Sequence, residues 1–175
     1  AVLCGETVTK DRRVAVLLPD DLYLGVRPAL GDLIALSDRY PDKGVIGLLK
    51  VSSQDSRKYG MVGGEWHDDH MVIDRLVEKP APEHAPSPFA ITGRYILPAQ
   101  VFDLLRHQDT GALGEIQLTD ALQGLADDGG MLGMIPEARR FDAGDPEGLL
   151  IASLRCALDH GTQDVRDRVR HELEQ

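Results

Sequence analysis

Asp20 and Asp21 are the first residues along the chain whose type and place could do chemistry. They close the run Val14-Ala-Val-Leu-Leu-Pro, which reads as a buried strand. In open α/β sheets, ligands gather outside the carboxyl ends of the strands. Paired acids there suit a hard divalent cation, which prefers oxygen ligands and often bridges to substrate phosphates. A turn, or a cap on a following helix, explains the same pair. Leu76-Val-Glu78-Lys79-Pro80 ends another apolar run with an acid and a base. The carboxylate can accept from sugar hydroxyls and the ammonium can hold a phosphate, or the two form an ordinary strand-end ion pair. Gly60, after Tyr59, either lets a ligand approach the backbone or marks a bulge. Gly114-Glu115-Ile-Gln117-Leu-Thr119-Asp120 sets polar side chains on the first turn of a helix. Its free N–H groups favour anions, and capping explains the segment too. Arg140-Phe-Asp142-Ala-Gly144-Asp145 sets acids around a glycine turn before a helix, where they offer a second metal ligand or an N-cap.

Other constellations are excluded. His67-Asp68-Asp69-His70 offers four ligands along one turn, too close in the chain to converge on a zinc ion, and reads as a solvated hairpin tip. No Gly-x-Ser-x-Gly elbow, Walker loop or Gly-x-Gly-x-x-Gly fingerprint occurs, which disfavours serine hydrolases, P-loop NTPases and dinucleotide-binding dehydrogenases. The balance of 19 basic against 29 acidic residues disfavours nucleic acid and anionic membrane surfaces as partners. Cys4 and Cys156 form no framework, which points to a reducing cytoplasm. No apolar run approaches the ~20 residues that span a bilayer.

The elements that must position these residues alternate. Strands are expected at Val14 to Leu18, Gly44 to Val51, Tyr59 to Glu65, Met71 to Glu78, Phe89 to Leu97 and Met131 to Pro136. Helices are expected at Pro28 to Arg39, Pro98 to His107, Glu115 to Asp127, Asp145 to His160 and Gln163 to Leu173. Lys79 to Pro88 carries four prolines and is read as irregular. At 175 residues with 42% hydrophobic content, the chain suits one α/β domain with a mainly parallel sheet.

The order of the segments is more telling than any one of them. Leu-Leu-Pro-Asp20-Asp21, Tyr59-Gly60, Val77-Glu78-Lys79-Pro80, Ile91-Thr-Gly93-Arg94-Tyr95, Gly114-Glu115-Ile-Gln117-Leu-Thr119-Asp120 and Phe141-Asp142-Ala-Gly144-Asp145 resemble the bacterial UTP–glucose-1-phosphate uridylyltransferases. The resemblance implies a Rossmann-like, three-layer nucleotidyltransferase fold. It implies transfer of a uridylyl group from UTP to glucose 1-phosphate, giving UDP-glucose and pyrophosphate with Mg²⁺. On this likeness Asp20 and Asp142 hold the metal, Gly60 meets the sugar through its backbone, Glu78 accepts from sugar hydroxyls, and Lys79 holds the sugar phosphate. Glu115 lines the sugar end, and Asp21 has no assigned role. A homo-oligomer, dimer or tetramer, is implied as well.

The chain departs from the family pattern in places. Pro146 stands where the family has Lys, and Leu149 where it has Tyr. The Gly-x-Gly-Thr-Arg loop and the first strands of the fold are not in the sequence. Residues 1–160 are therefore expected to form the sugar-phosphate and metal part of the sheet and 161–175 a C-terminal helix, without turnover of their own. The competing expectations are a non-catalytic sugar-phosphate-binding or oligomerisation module, and a related transferase using another nucleotide or sugar.

Overall fold

Strand and helix follow the hydrophobic pattern closely. The computed structural model describes residues 1–9, 12–108 and 117–174. Eight strands are described: β1 (Val14–Leu17), β2 (Asp21–Leu24), β3 (Gly44–Lys50), β4 (Gly60–His67), β5 (His70–Glu78), β6 (Phe89–Leu97), β7 (Met131–Met134) and β8 (Arg139–Asp142). The helices are α1 (Glu6–Thr9), α2 (Ala29–Arg39), α3 (Gln100–His107), α4 (Leu118–Asp127), α5 (Pro146–His160) and α6 (Gln163–Leu173). Three short 3₁₀ turns join them, one at Pro82–His84 within the proline-rich stretch expected to be irregular.

Six strands form one sheet in the order β1-β6-β3-β7-β5-β4, and β2 pairs with β8 in a separate ribbon. The α/β class stands, but the sheet is mixed rather than mainly parallel. Among the described strands β3 and β7 run parallel, while the β1–β6, β3–β6, β4–β5, β4–β6 and β5–β7 pairs are antiparallel. The reason lies in the connections. Asp68 and Asp69 alone link β4 to β5, and a two-residue hairpin forces antiparallel pairing. Asp68 takes the required positive φ of 52°, which Asp tolerates better than most residues.

Neighbouring residues of one strand point to opposite faces of a sheet. Here each alternate residue has its own core. Ile46, Met71, Ile73, Tyr95, Leu97 and Met131 join α3 and α4 in one cluster. Val45, Ile96 and Leu132 join Leu33 and Leu36 of α2 in another. Both faces are therefore covered, which makes three layers and explains why β3 is almost continuously apolar. The hairpin tip is less solvated than expected: His70 is buried, its ring 5.1 Å from that of Tyr40, and its Nδ1 lies 3.0 Å from Asp69.

Candidate functional site

A cleft of about 340 Å³ opens at one end of the sheet. It gathers side chains that are far apart in sequence, among them Asp20, Gly60, Glu78, Lys79, Thr119 and Asp142. Five of the six residues singled out from the sequence thus share one wall-to-wall space. The sixth, Glu115, lies outside the described residues.

The β2–β8 ribbon builds the acidic end. Its register sets Asp21 opposite Asp142, and the Ala143 N–H donates to the Asp20 carbonyl at 2.7 Å. Both candidate metal acids flank Gly144. A Cβ at that position would lie 3.1 Å from Asp142 Oδ1 and 3.3 Å from Asp20 Oδ2. Asp142 accepts from the Gly144 N–H at 3.1 Å, from Arg140 at 3.2 Å and from the Tyr59 hydroxyl at 3.4 Å. Burial pushes its carboxyl up, but these donors outweigh it and hold Asp142 below the usual carboxylate range. Asp145 is the helix cap that the alternative reading offered, accepting from Gly148 N at 2.8 Å at the start of α5. Pro146 follows at the first helical position, where its missing N–H costs nothing.

The opposite wall is the end of β5. Glu78 Oε2 accepts from Thr119 Oγ1 at 2.5 Å, which fixes the carboxylate from the first turn of α4. The Lys79 ammonium stands 3.9 Å from Glu78 Oε1, beyond hydrogen-bond reach, and its side chain is 55% exposed. Such a pair stabilises little, and the ammonium stays open to an anion. Lys79 has φ 44°, a left-handed conformation uncommon for a residue with a Cβ, and its N–H donates to the Tyr59 carbonyl at 3.0 Å. Gly60 lies beside this carboxylate: a Cβ there would come within 3.1 Å of Glu78 Oε2 and 3.4 Å of Thr119 Oγ1. The glycine at this position thus makes room for the Glu78 and Thr119 side chains.

Tyr59 joins the two ends, reaching Asp142 through its hydroxyl and Lys79 through its carbonyl. Tyr95 lines the floor. Burial, then the Asp21 and Glu78 carboxylates, push its phenol upward, so it remains a neutral O–H. Two carboxylates around an open glycine suit a hard, oxygen-preferring divalent cation, which keeps waters and substrate oxygens as its other ligands. Among the described residues no group of three or more Asp, Glu, His or Cys side chains gathers as a metal site, in this cleft or outside it, so the two carboxylates would need substrate oxygens or waters to complete a cation's shell.

Asp21, paired with Asp20 in the sequence as a possible metal acid, and Thr119 and Lys58 take parts in this cleft that the sequence did not assign them. Asp21 is buried and ion-paired with Arg140, which the motif carried only as a flanking residue. Thr119 stood inside the Gly-Glu-Ile-Gln-Leu-Thr-Asp segment without a role of its own. Lys58 also lines the cleft. A hydrogen bond from Lys58 to Asp55 at 2.8 Å holds its ammonium above the ordinary lysine range, and Asp142 adds to the effect.

Known proteins share this fold. The model of the nucleotidyl transferase family matches residues 1–157. The UTP–glucose-1-phosphate uridylyltransferase of Pseudomonas aeruginosa is 38% identical over 159 residues, covering 89% of this chain and 57% of its own length. The UTP-bound UGPase from Acinetobacter baumannii superposes with a TM-score of 0.86 at 30% identity, covering 99% of this chain and 60% of that one. A UDP-glucose pyrophosphorylase crystallised with UDP-glucose superposes with a TM-score of 0.82 at 34% identity, covering 87% of this chain and 59% of that one. The chain thus spans somewhat more than half the length of the relatives it matches.

Proposed function

Because the chain belongs to the nucleotidyl transferase family over residues 1–157, we propose that it carries the sugar-phosphate and metal part of a UTP–glucose-1-phosphate uridylyltransferase. One observation carries the reading: Tyr59 ties the Asp142 carboxylate to the Lys79 backbone, so acids and ammonium face one cleft. The names of its relatives, in complex with UTP or UDP-glucose, point to the same substrates.

In the proposed reaction an oxygen of glucose 1-phosphate attacks the α-phosphorus of UTP, and the bond to the pyrophosphate oxygen breaks. The nucleophile is already ionised, so no general base is needed. The obstacle is repulsion between two polyanions, which positioning and fixed charge overcome. Lys79 would hold the sugar phosphate as a point charge. Glu78, fixed by Thr119, would accept from sugar hydroxyls, and Gly60 would let the sugar lie against the backbone. Asp20 and Asp142 would hold Mg²⁺. The chemistry such a cation supplies when bound is neutralisation of the phosphate oxygens.

Calorimetric titration of the chain with glucose 1-phosphate and UDP-glucose, with and without Mg²⁺, tests the reading. Binding that strengthens with Mg²⁺ is expected, and Lys79→Ala should weaken glucose 1-phosphate at least about tenfold, the loss of one charge-assisted contact. Absence of heat from a folded chain, or equal affinity in Lys79→Ala, would overturn it.

A further inference from the structure

The family likeness assigned Asp21 no role, yet it is among the few buried charged residues described, with only 4% of its surface exposed. A buried carboxylate is costly unless it is paired and hydrogen-bonded. Here Oδ1 accepts from Arg140 Nε and Oδ2 from the Gly93 N–H. Room for that second bond depends on glycine, since a Cβ at residue 93 would lie 2.8 Å from Oδ2 and 2.6 Å from Leu18 Cβ.

The guanidinium does not end at Asp21. Its Nη2 lies 3.2 Å from Asp142 Oδ2, and its central carbon sits 5.4 Å from the centre of the Tyr59 ring. Tyr59 in turn donates to the same Asp142 oxygen. Asp21 and Asp142 are register partners, and Arg140 precedes Asp142 by two residues, so all three side chains share one face of the β2–β8 ribbon. The Arg140 side chain is only 12% exposed. It is therefore a fork fixed between a buried acid and an acid that faces the cleft.

We propose that Asp21 is a positioning residue: it anchors Arg140, which turns the Asp142 carboxylate toward the space that Asp20 also faces and so sets the affinity of the pair for a divalent cation. The inference rests on reading Asp20 and Asp142 as metal acids. Its physical content is a division of charge. Anchored by Asp21, the guanidinium is shared between two carboxylates and leaves Asp142 free to coordinate. Released from Asp21, it pairs wholly with Asp142 and competes with the cation. Partners of this kind orient metal-binding carboxylates, and their loss costs metal affinity.

The test is Mn²⁺ titration of the full chain, following the paramagnetic resonance signal of the free ion, with thermal melting of each protein. Asp21→Asn and Arg140→Lys should each weaken Mn²⁺ binding by about tenfold or more. Asp20→Asn should abolish it. Arg140→Lys keeps the charge but not the fork, so it decides the matter should Asp21→Asn fail to fold. Equal Mn²⁺ affinity in wild type and a folded Arg140→Lys overturns the inference and leaves Asp20 and Asp142 as metal acids. Mn²⁺ left unbound by wild type, or bound equally by Asp20→Asn, overturns the underlying reading and the inference with it.

Discussion

Gly60 shows how much of the site turns on single atoms. The space its missing Cβ leaves is bounded by Glu78 Oε2 at 3.1 Å, Ile91 Cδ1 at 3.0 Å and Thr119 Oγ1 at 3.4 Å. An added methyl fits only if Ile91 and the carboxylate both give way, and that carboxylate is pinned by Thr119 at 2.5 Å. Gly60→Ala is therefore expected to displace Glu78 from its place rather than to unfold the sheet. Affinity for glucose 1-phosphate should fall about tenfold, equivalent to about 1.4 kcal/mol. Calorimetry beside a thermal melt checks this, and unchanged affinity would remove Gly60 from the sugar side of the cleft. Asp20, Gly60, Glu78, Lys79 and Asp142 were legible in the sequence because each stands at a strand end or turn, where polar residues break an apolar pattern. Asp21 was read only as a partner of Asp20, and its pairing with Arg140 was not legible. What distinguishes it is burial and an arginine 119 positions away, and neither leaves a local mark.

At the scale of elements, the long apolar segments were readable and the short polar ones were not. Strands β3 to β6 and helices α2, α5 and α6 lie close to where hydrophobic spacing put them. The ribbon was missed because Asp21-Leu-Tyr-Leu24 and Arg139-Arg-Phe-Asp142 are four residues each, with charges inside them. Each is a strand only by virtue of the other. Strand direction was also hidden, since a period of two residues is the same for parallel and antiparallel neighbours. The ribbon leads straight into α5, so the cap that starts this helix also shapes the turn behind Asp142. Asp145 accepts from Gly148 N, and Pro146 follows it. Asp145→Ala should cost about 1 kcal/mol of stability by denaturant titration, as lost N-caps do. Stability equal to wild type would mean that Pro146 and packing fix the start of α5 without the cap.

The whole molecule places its chemistry at one end of a sheet buried on both faces. Leu33 of α2 and Leu122 of α4 are almost fully buried, yet they belong to separate clusters on opposite faces. Between them runs β3, whose Val45 faces one cluster and Ile46 the other. A strand shared in this way should couple the two layers into one cooperative unit. Leu33→Ala and Leu122→Ala are each expected to destabilise the fold by about 2–5 kcal/mol through lost burial and cavity formation. With no shared partners, the two losses should add to within about 0.5 kcal/mol in the double variant. The denaturant transition should stay single and keep its slope. Two transitions, with Leu33→Ala moving one and Leu122→Ala the other, would mean that the layers unfold separately. The cleft would then rest on the α3–α4 side alone, because Thr119 fixes Glu78 from the same helix that carries Leu122.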